Sequence, residues 1–108
     1  MTKFKLDDST EVEIEATVYT AEVYEQNFKR DLISDLMPTE SGTIPFINCI
    51  RALWAMMKTA DYRAGRPTPT YEQWVADVGS VNYHELMGAV AQEATGGFFR
   101  PRADSAED

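Results

Sequence analysis

Catalysis or metal binding in this chain would have to begin at His84, Cys49 or a converging pair of carboxylates. These are the side chains able to carry protons, metals or covalent intermediates near neutral pH. His84 is the single histidine and Cys49 the single cysteine. No HExxH, no CxxC and no carboxylate pair at helical or hairpin spacing converges on His84, so a metal there would lack its remaining ligands. His84 falls beside Glu85 at the start of a predicted helix and reads as a surface residue. Cys49 lies inside the longest apolar run and reads as a small buried hydrophobe, not a nucleophile. Asp7-Asp8 suits a turn, and Asp31 with Asp35 suits a solvated helix face. GxxxxGK[ST], GxGxxG and GxSxG are absent, and Gly96-Gly97 reads as a helix stop. The expectation is a protein that is not an enzyme, with no catalytic, metal-binding or cofactor-binding residue.

Charge narrows the partners. The 108 residues carry a formal charge of -8, with a pI near 4.5, and Lys29, Arg30, Arg51, Arg63, Arg66, Arg100 and Arg102 are scattered among acidic neighbours. A phosphate backbone needs a concentrated basic face, so nucleic acid is not expected as a partner. A lone cysteine closes no disulfide within the chain, which fits a reducing compartment. The opening MTKFKLDD turns polar after six residues, unlike a secretory leader. A cytoplasmic protein is expected. The length suits one domain over residues 1–100, followed by an acidic stretch, 101–108, too poor in apolar groups to offset its ordering entropy and therefore expected to be disordered.

The element that must position the rest is Ile44 to Tyr62, IPFINCIRALWAMMKTADY. At 3.6 residues per turn, Phe46, Ile47, Ile50, Leu53, Trp54 and Met57 form one broad stripe, widened by Cys49 and Met56. Asn48, Arg51, Ala55 and Lys58 are left for the polar edge. Arg51 and Lys58 keep the run short of the ~20 uninterrupted apolar residues of a membrane span. A core helix is expected, with Pro45 in its first turn, Gly65 and Pro67 just past its end, and Trp54 as its most buried large side chain.

Around it the chain reads as an α+β domain: an N-terminal antiparallel β-hairpin packed on a mostly helical body of roughly four to five helices. Phe4 and Leu6 alternate with lysines, Asp7-Asp8-Ser9-Thr10 forms the turn, and Val12, Ile14 and Ala16 alternate with glutamates. The predicted register puts Phe4 opposite Ile14, Leu6 opposite Val12, Lys3 opposite Glu15 and Lys5 opposite Glu13. Thr20 to Met37 has helical spacing, with Tyr24, Phe28, Leu32 and Leu36 in one row and Thr20 as cap. The pattern fits either one helix or two pieces bent near Asn27 to Arg30; a bend is the expectation, with Asp31 able to cap a second piece. Thr70 with Gln73 and Asn82 with Glu85 carry capping signals for two further helices. Gly79 is expected to end the first of these in the left-handed conformation. Leu86, Met87, Val90, Ala91 and Ala94 supply the stripe of the second.

Aromatic residues make up 11% of the chain, many of them outside the central run. Phe98 and Phe99 either fold back onto the last two helices or form an apolar patch for a partner. Phe28, Trp74, Phe98 and Phe99 are the candidate partner-binding residues.

The order of pieces resembles the small tail assembly chaperones of siphophages and prophages of Gram-positive bacteria. The likeness runs from Phe4 to Arg100 and is carried by Tyr24 and Phe28 in YEQNF, by Ala52 to Trp54 with the following KTAD, and by Tyr71-Glu72-Gln73-Trp74. Relatives often carry a glycine after the first helix's phenylalanine, where the chain bends; here Lys29 follows Phe28. The resemblance implies a protein that binds the long, helical tape measure protein and keeps it soluble while tail tube subunits gather, commonly made alongside a longer frameshifted form. Self-association is a further expectation. The alternative is an acidic adaptor or inhibitor that binds a basic protein through its carboxylate-rich strand and tail. High salt separates the two, because screening dissociates an acidic contact and leaves an apolar one.

Overall fold

Alternation of apolar and charged residues at the N-terminus produces two short strands, β1 (Thr2–Lys5) and β2 (Glu11–Ile14), in an antiparallel pair. The computed structural model describes residues 2–7 and 10–98. Phe4 and Ile14 are buried and Val12 half-buried, while the lysines of β1 face solvent. The register differs from the predicted one by two residues: Phe4 pairs with Val12, Lys3 with Glu13 and Lys5 with Glu11. The reason is a tighter closure, in which Leu6 N–H donates to the Thr10 carbonyl at 2.9 Å and Thr10 N–H to the Asp7 carbonyl at 3.4 Å. A shift of two keeps every side chain on its face, so apolar and charge pairing survive it. Glu15, left without Lys3, pairs with Arg63 at 3.2 Å.

Helix α1 (Val18–Phe28) has its cap three residues earlier than predicted. Thr17 is the cap and accepts from Tyr19 N–H, while the Thr20 hydroxyl reaches back to Thr17 N–H at 3.0 Å. Thr20 also meets the Thr59 hydroxyl at 2.5 Å in the buried interior, tying α1 to the central helix. The expected bend is present. Lys29 ends α1 at φ 56, a left-handed position where glycine would be less strained. Asp31 then caps the single turn α2 (Leu32–Asp35) by accepting from Ser34 N–H at 2.8 Å.

Helix α3 (Phe46–Ala64) is the axis on which α1, β2 and α5 pack. Pro45 occupies its cap position and Gly65 its left-handed end, at φ 76. Trp54, 2% exposed, is the largest fully buried side chain. The stripe differs from the prediction at both margins. Phe46 and Ile47, in the first turn, are each 45% exposed, whereas Ala55 is completely buried. No helix among the described residues is long and apolar enough to cross a membrane.

Helices α4 (Tyr71–Asp77) and α5 (Tyr83–Phe98) begin as their capping signals require: Thr70 accepts from Gln73 N–H at 3.2 Å and Asn82 from Glu85 N–H at 3.0 Å. Gly79 does not provide a left-handed end for α4, which stops at Val78 in extended conformation. Gly96-Gly97 does not stop α5, which continues through both residues to Phe98. Gly97 is there for proximity: a Cβ at this position would lie 2.2 Å from the Ala16 carbonyl oxygen, so its absence lets α5 approach the chain leaving β2. The described residues form an α+β fold, an antiparallel hairpin on a body of five helices.

Candidate partner-binding groove

The connection from α3 to α4 is drawn back along α3 by its own polar groups. Arg66 N–H donates to the Asp61 carbonyl at 2.8 Å, the Thr68 hydroxyl donates to Asp61 Oδ2 at 2.8 Å, and Trp54 Nε1 donates to the Pro69 carbonyl at 3.1 Å. This places α4 across from the hairpin and leaves a cleft of about 520 Å3 between them. Leu6, Val12, Met57, Pro69 and Trp74 supply its apolar surface. A second cleft of about 260 Å3 continues from it, sharing Leu6, Thr10 and Trp74 and ending at Val78 to Ser80. Together they form one groove over the outer side of the hairpin.

The groove's charge is mainly acidic. Glu11, Glu13 and Asp61 line the first cleft, Asp7 and Asp77 the second. Arg66 bridges Glu13 at 2.6 Å and Asp61 at 3.0 Å, and its guanidinium is held above its ordinary pKa first by the hydrogen bond to Glu13 and then by that to Asp61. Solvent screens such half-exposed pairs, so Arg66 orients the wall more than it stabilises the fold.

The residues singled out from sequence are distributed unequally. Trp74 is buried, 7% exposed, with its ring forming part of the groove floor. Phe28 is half-buried at a different place, its ring edge-on to Tyr24, Trp54 and Tyr71, with the Arg51 guanidinium 5.5 Å above it. Arg51 Nε is buried there without a hydrogen-bond partner among the described residues. Phe98 is half-buried against the core at the end of α5. Phe99 and the stretch 101–108 lie outside the described residues. Of the three described candidates, Trp74 lines the groove and Phe28 and Phe98 do not. His84 is exposed beside Tyr83. Cys49 is fully buried, and burial pushes its thiol up to about 11, which leaves it protonated and unreactive. Among the described residues no three histidines, cysteines or carboxylates are grouped to hold a metal.

One polar cluster was not legible in the sequence. Asp35, expected on a solvated face, is buried and receives Tyr24 Oη at 2.7 Å, Arg30 Nε at 2.6 Å and a second Arg30 nitrogen at 3.0 Å. The bidentate arginine, and after it the tyrosine hydroxyl, hold the Asp35 carboxyl below the usual carboxylate range against the opposing effect of burial. Burial, followed by the hydrogen bond to Asp35, pushes the Tyr24 phenol well up. Asn48 donates to the Asp35 carbonyl at 3.0 Å and ties α2 to α3. Every group in this cluster is engaged within the chain, so its chemistry is that of a structural clasp. The sequence signal for it was the Tyr24–Phe28–Leu32–Leu36 row, which brings α2 under α1 once the chain bends.

No family model matches the chain, and no characterised protein or solved structure matches it either.

Proposed function

We propose that this domain is a tail assembly chaperone: a cytoplasmic binding protein, not an enzyme, that covers apolar parts of the long helical tape measure protein and keeps it dispersed while tail tube subunits are recruited. The observation that carries the reading is the groove between hairpin and α4, with its floor of Leu6, Val12, Met57 and Trp74 and its mainly acidic flanks. A holdase needs apolar surface for its client and a high net charge to keep the complex from associating further. The formal charge of -8 meets the second need. The order of hairpin, bent helix pair, central helix and two capped helices, which resembles that family, supports the same reading. Self-association belongs to the proposal, supported by the exposed Phe46 and Ile47 at the start of α3.

The test is co-expression with the long helical protein encoded downstream. The soluble fraction of that protein should rise in the presence of this chain, and the two should co-purify near 1 M salt, where the screening length falls to roughly 3 Å. No gain in solubility, together with no co-purification at low or high salt, overturns the proposal. The acidic flanks Glu11, Glu13, Asp61 and Asp77 favour a second reading, an acidic adaptor or inhibitor of a basic protein. That reading is selected if the complex forms at low salt and is lost at high salt.

A further inference from the structure

Consecutive residues of a strand point their side chains to opposite faces of a sheet, yet Thr10, Glu11, Val12 and Glu13 all line one cleft. Four neighbours in a row do so when the cleft runs along the strand's side, where backbone faces it. The ladder identifies which backbone groups these are. Leu6 N–H donates to the Thr10 carbonyl at 2.9 Å, which makes Leu6 and Thr10 a hydrogen-bonded pair. Bonded and non-bonded pairs alternate along an antiparallel ladder. In the observed register Phe4–Val12 and Thr2–Ile14 are then bonded pairs, and Lys5–Glu11 and Lys3–Glu13 are not. The N–H and C=O groups of Glu11 and Glu13 therefore point away from β1, and none has a hydrogen-bond partner among the described residues. Glu15, next in phase, confirms the direction: its N–H also leaves the hairpin and donates to the Met56 carbonyl at 3.1 Å.

We propose that this edge accepts a further strand, so that the groove binds an extended segment of a partner protein in which basic residues alternate with apolar ones. Main-chain pairing with Glu11 and Glu13 gives the segment its register. Its composition follows from the strand already seated on the opposite edge, where β1 places Lys3 opposite Glu13, Phe4 opposite Val12 and Lys5 opposite Glu11. A segment on the outer edge meets the same row. Two glutamates lie on one side of it, and Val12, Met57 and Trp74 lie where its apolar residue enters. Glu11, Glu13 and Asp61 against the single Arg66 leave two net negative charges on the cleft wall, which complement the basic positions. The inference concerns the groove itself and applies to any partner carrying such a segment. Its failure is therefore separable from failure of the chaperone reading, which is judged on the solubility of a whole client.

The experiment titrates the isotope-labelled full chain with the blocked peptide Thr-Lys-Phe-Lys-Leu-Thr. Three controls accompany it: a charge-reversed form with Glu for Lys, and two forms N-methylated on alternate residues, one of which removes the donors facing β2. Before peptide is added, the amides of Glu11 and Glu13 should exchange rapidly, while those of Val12 and Ile14, bonded to β1, should be protected. The basic peptide should slow exchange at Glu11 and Glu13 by about tenfold or more, since each gains a main-chain hydrogen bond. One methylated form should lose about tenfold in affinity, corresponding to the hydrogen bonds removed, and the charge-reversed form should not bind measurably. Glu11→Pro deletes one outward N–H and spares the ladder, as proline does on strand edges, and should weaken the basic peptide by a similar factor with Val12 and Ile14 still protected. No binding at millimolar peptide, unchanged exchange at Glu11 and Glu13 in the saturated complex, or equal affinity of both methylated forms and the parent overturns the proposal. Should Glu11→Pro fail to fold, the methylated peptides decide it alone.

Discussion

Asp35 at the end of α2 and Glu11 at the start of β2 are both carboxylates on short elements that lean on the central helix, but their surroundings are opposite. Around Asp35 the polar groups close on one another: two nitrogens of Arg30 and the Tyr24 hydroxyl converge on its oxygens, and Asn48 takes its carbonyl. Around Glu11 the strand's outer backbone groups are left unengaged among the described residues, above an apolar cleft. The difference teaches where the acidity of this chain acts on the fold and where it acts on the surroundings. A carboxylate whose neighbours are satisfied inside the domain is part of its stability; one on an open strand edge is available to something else.

Trp54 is the support that both regions share, since its ring meets Phe28 and Tyr71 on one side while its N–H holds the Pro69 carbonyl beside the groove. Trp54→Ala should therefore erase the contrast by loosening both ends, at a cost of about 3–5 kcal/mol. Against a total stability of about 5–15 kcal/mol this leaves the chain partly unfolded, which urea denaturation followed by circular dichroism would register.

Asp35→Ala attacks the closed region alone. It leaves the buried Tyr24 hydroxyl without its acceptor and should cost about 1–3 kcal/mol at neutral pH. Because the folded carboxyl titrates below its unfolded value of about 4, its contribution is full above that pH and is lost as the pH falls through the folded value. The difference between variant and parent should accordingly shrink below about pH 4, and denaturation curves at pH 7 and pH 3 measure it. A penalty unchanged by acid would show that the clasp is held by packing and not by the ionised carboxylate.

Much of this architecture was readable because it is local. Thr70 with Gln73, Asn82 with Glu85, Asp31 as a second cap and the bend after Phe28 all follow from side chains that reach backbone a few residues away. What could not be read depends on chain segments distant in sequence. Gly97 looks like a helix stop until Ala16 lies against it, and Asp35 looks solvated until Arg30 and Tyr24 fold over it. The register of the hairpin escaped for a different reason. Shifting by two residues preserves both the apolar face and the Lys–Glu pairing, so pattern alone is indifferent to it and the closing turn decides. The groove inherits that ambiguity, because the outward-facing backbone groups are known once the pairing phase is known. Aromatic content pointed to Trp74, which the fold uses as floor, and to Phe28, which it uses elsewhere.

Two smaller substitutions sharpen the comparison. Lys29→Gly relieves the left-handed residue between α1 and α2 at φ 56. It should stabilise the closed region by about 0.5–1 kcal/mol, after the greater freedom of glycine in the unfolded chain is subtracted, with the gain read as a higher midpoint in thermal melting. Glu11→Gln, by contrast, should alter stability by less than about 0.5 kcal/mol, because the charge faces only the solvent-exposed Lys5 across the hairpin. A loss of more than about 1 kcal/mol in the same melting experiment would place Glu11 with Asp35 and dissolve the distinction drawn between them.

The bond from Glu15 N–H to the Met56 carbonyl bears on the size of what the open edge can hold. It occupies the next outward position on β2, so the helix acts as a doorstop at one end of the slot, and the closing turn of the hairpin bounds the other. Between these limits lie the two outward positions Glu11 and Glu13, and at about 3.3 Å per residue the slot measures little more than a handful of residues. An incoming chain that stays extended for longer must turn aside once it reaches α3. The edge thus works as a gauge: it rewards a short extended stretch within a chain of any other conformation, and it withholds a continuous template from long β-forming sequences that would otherwise stack upon it.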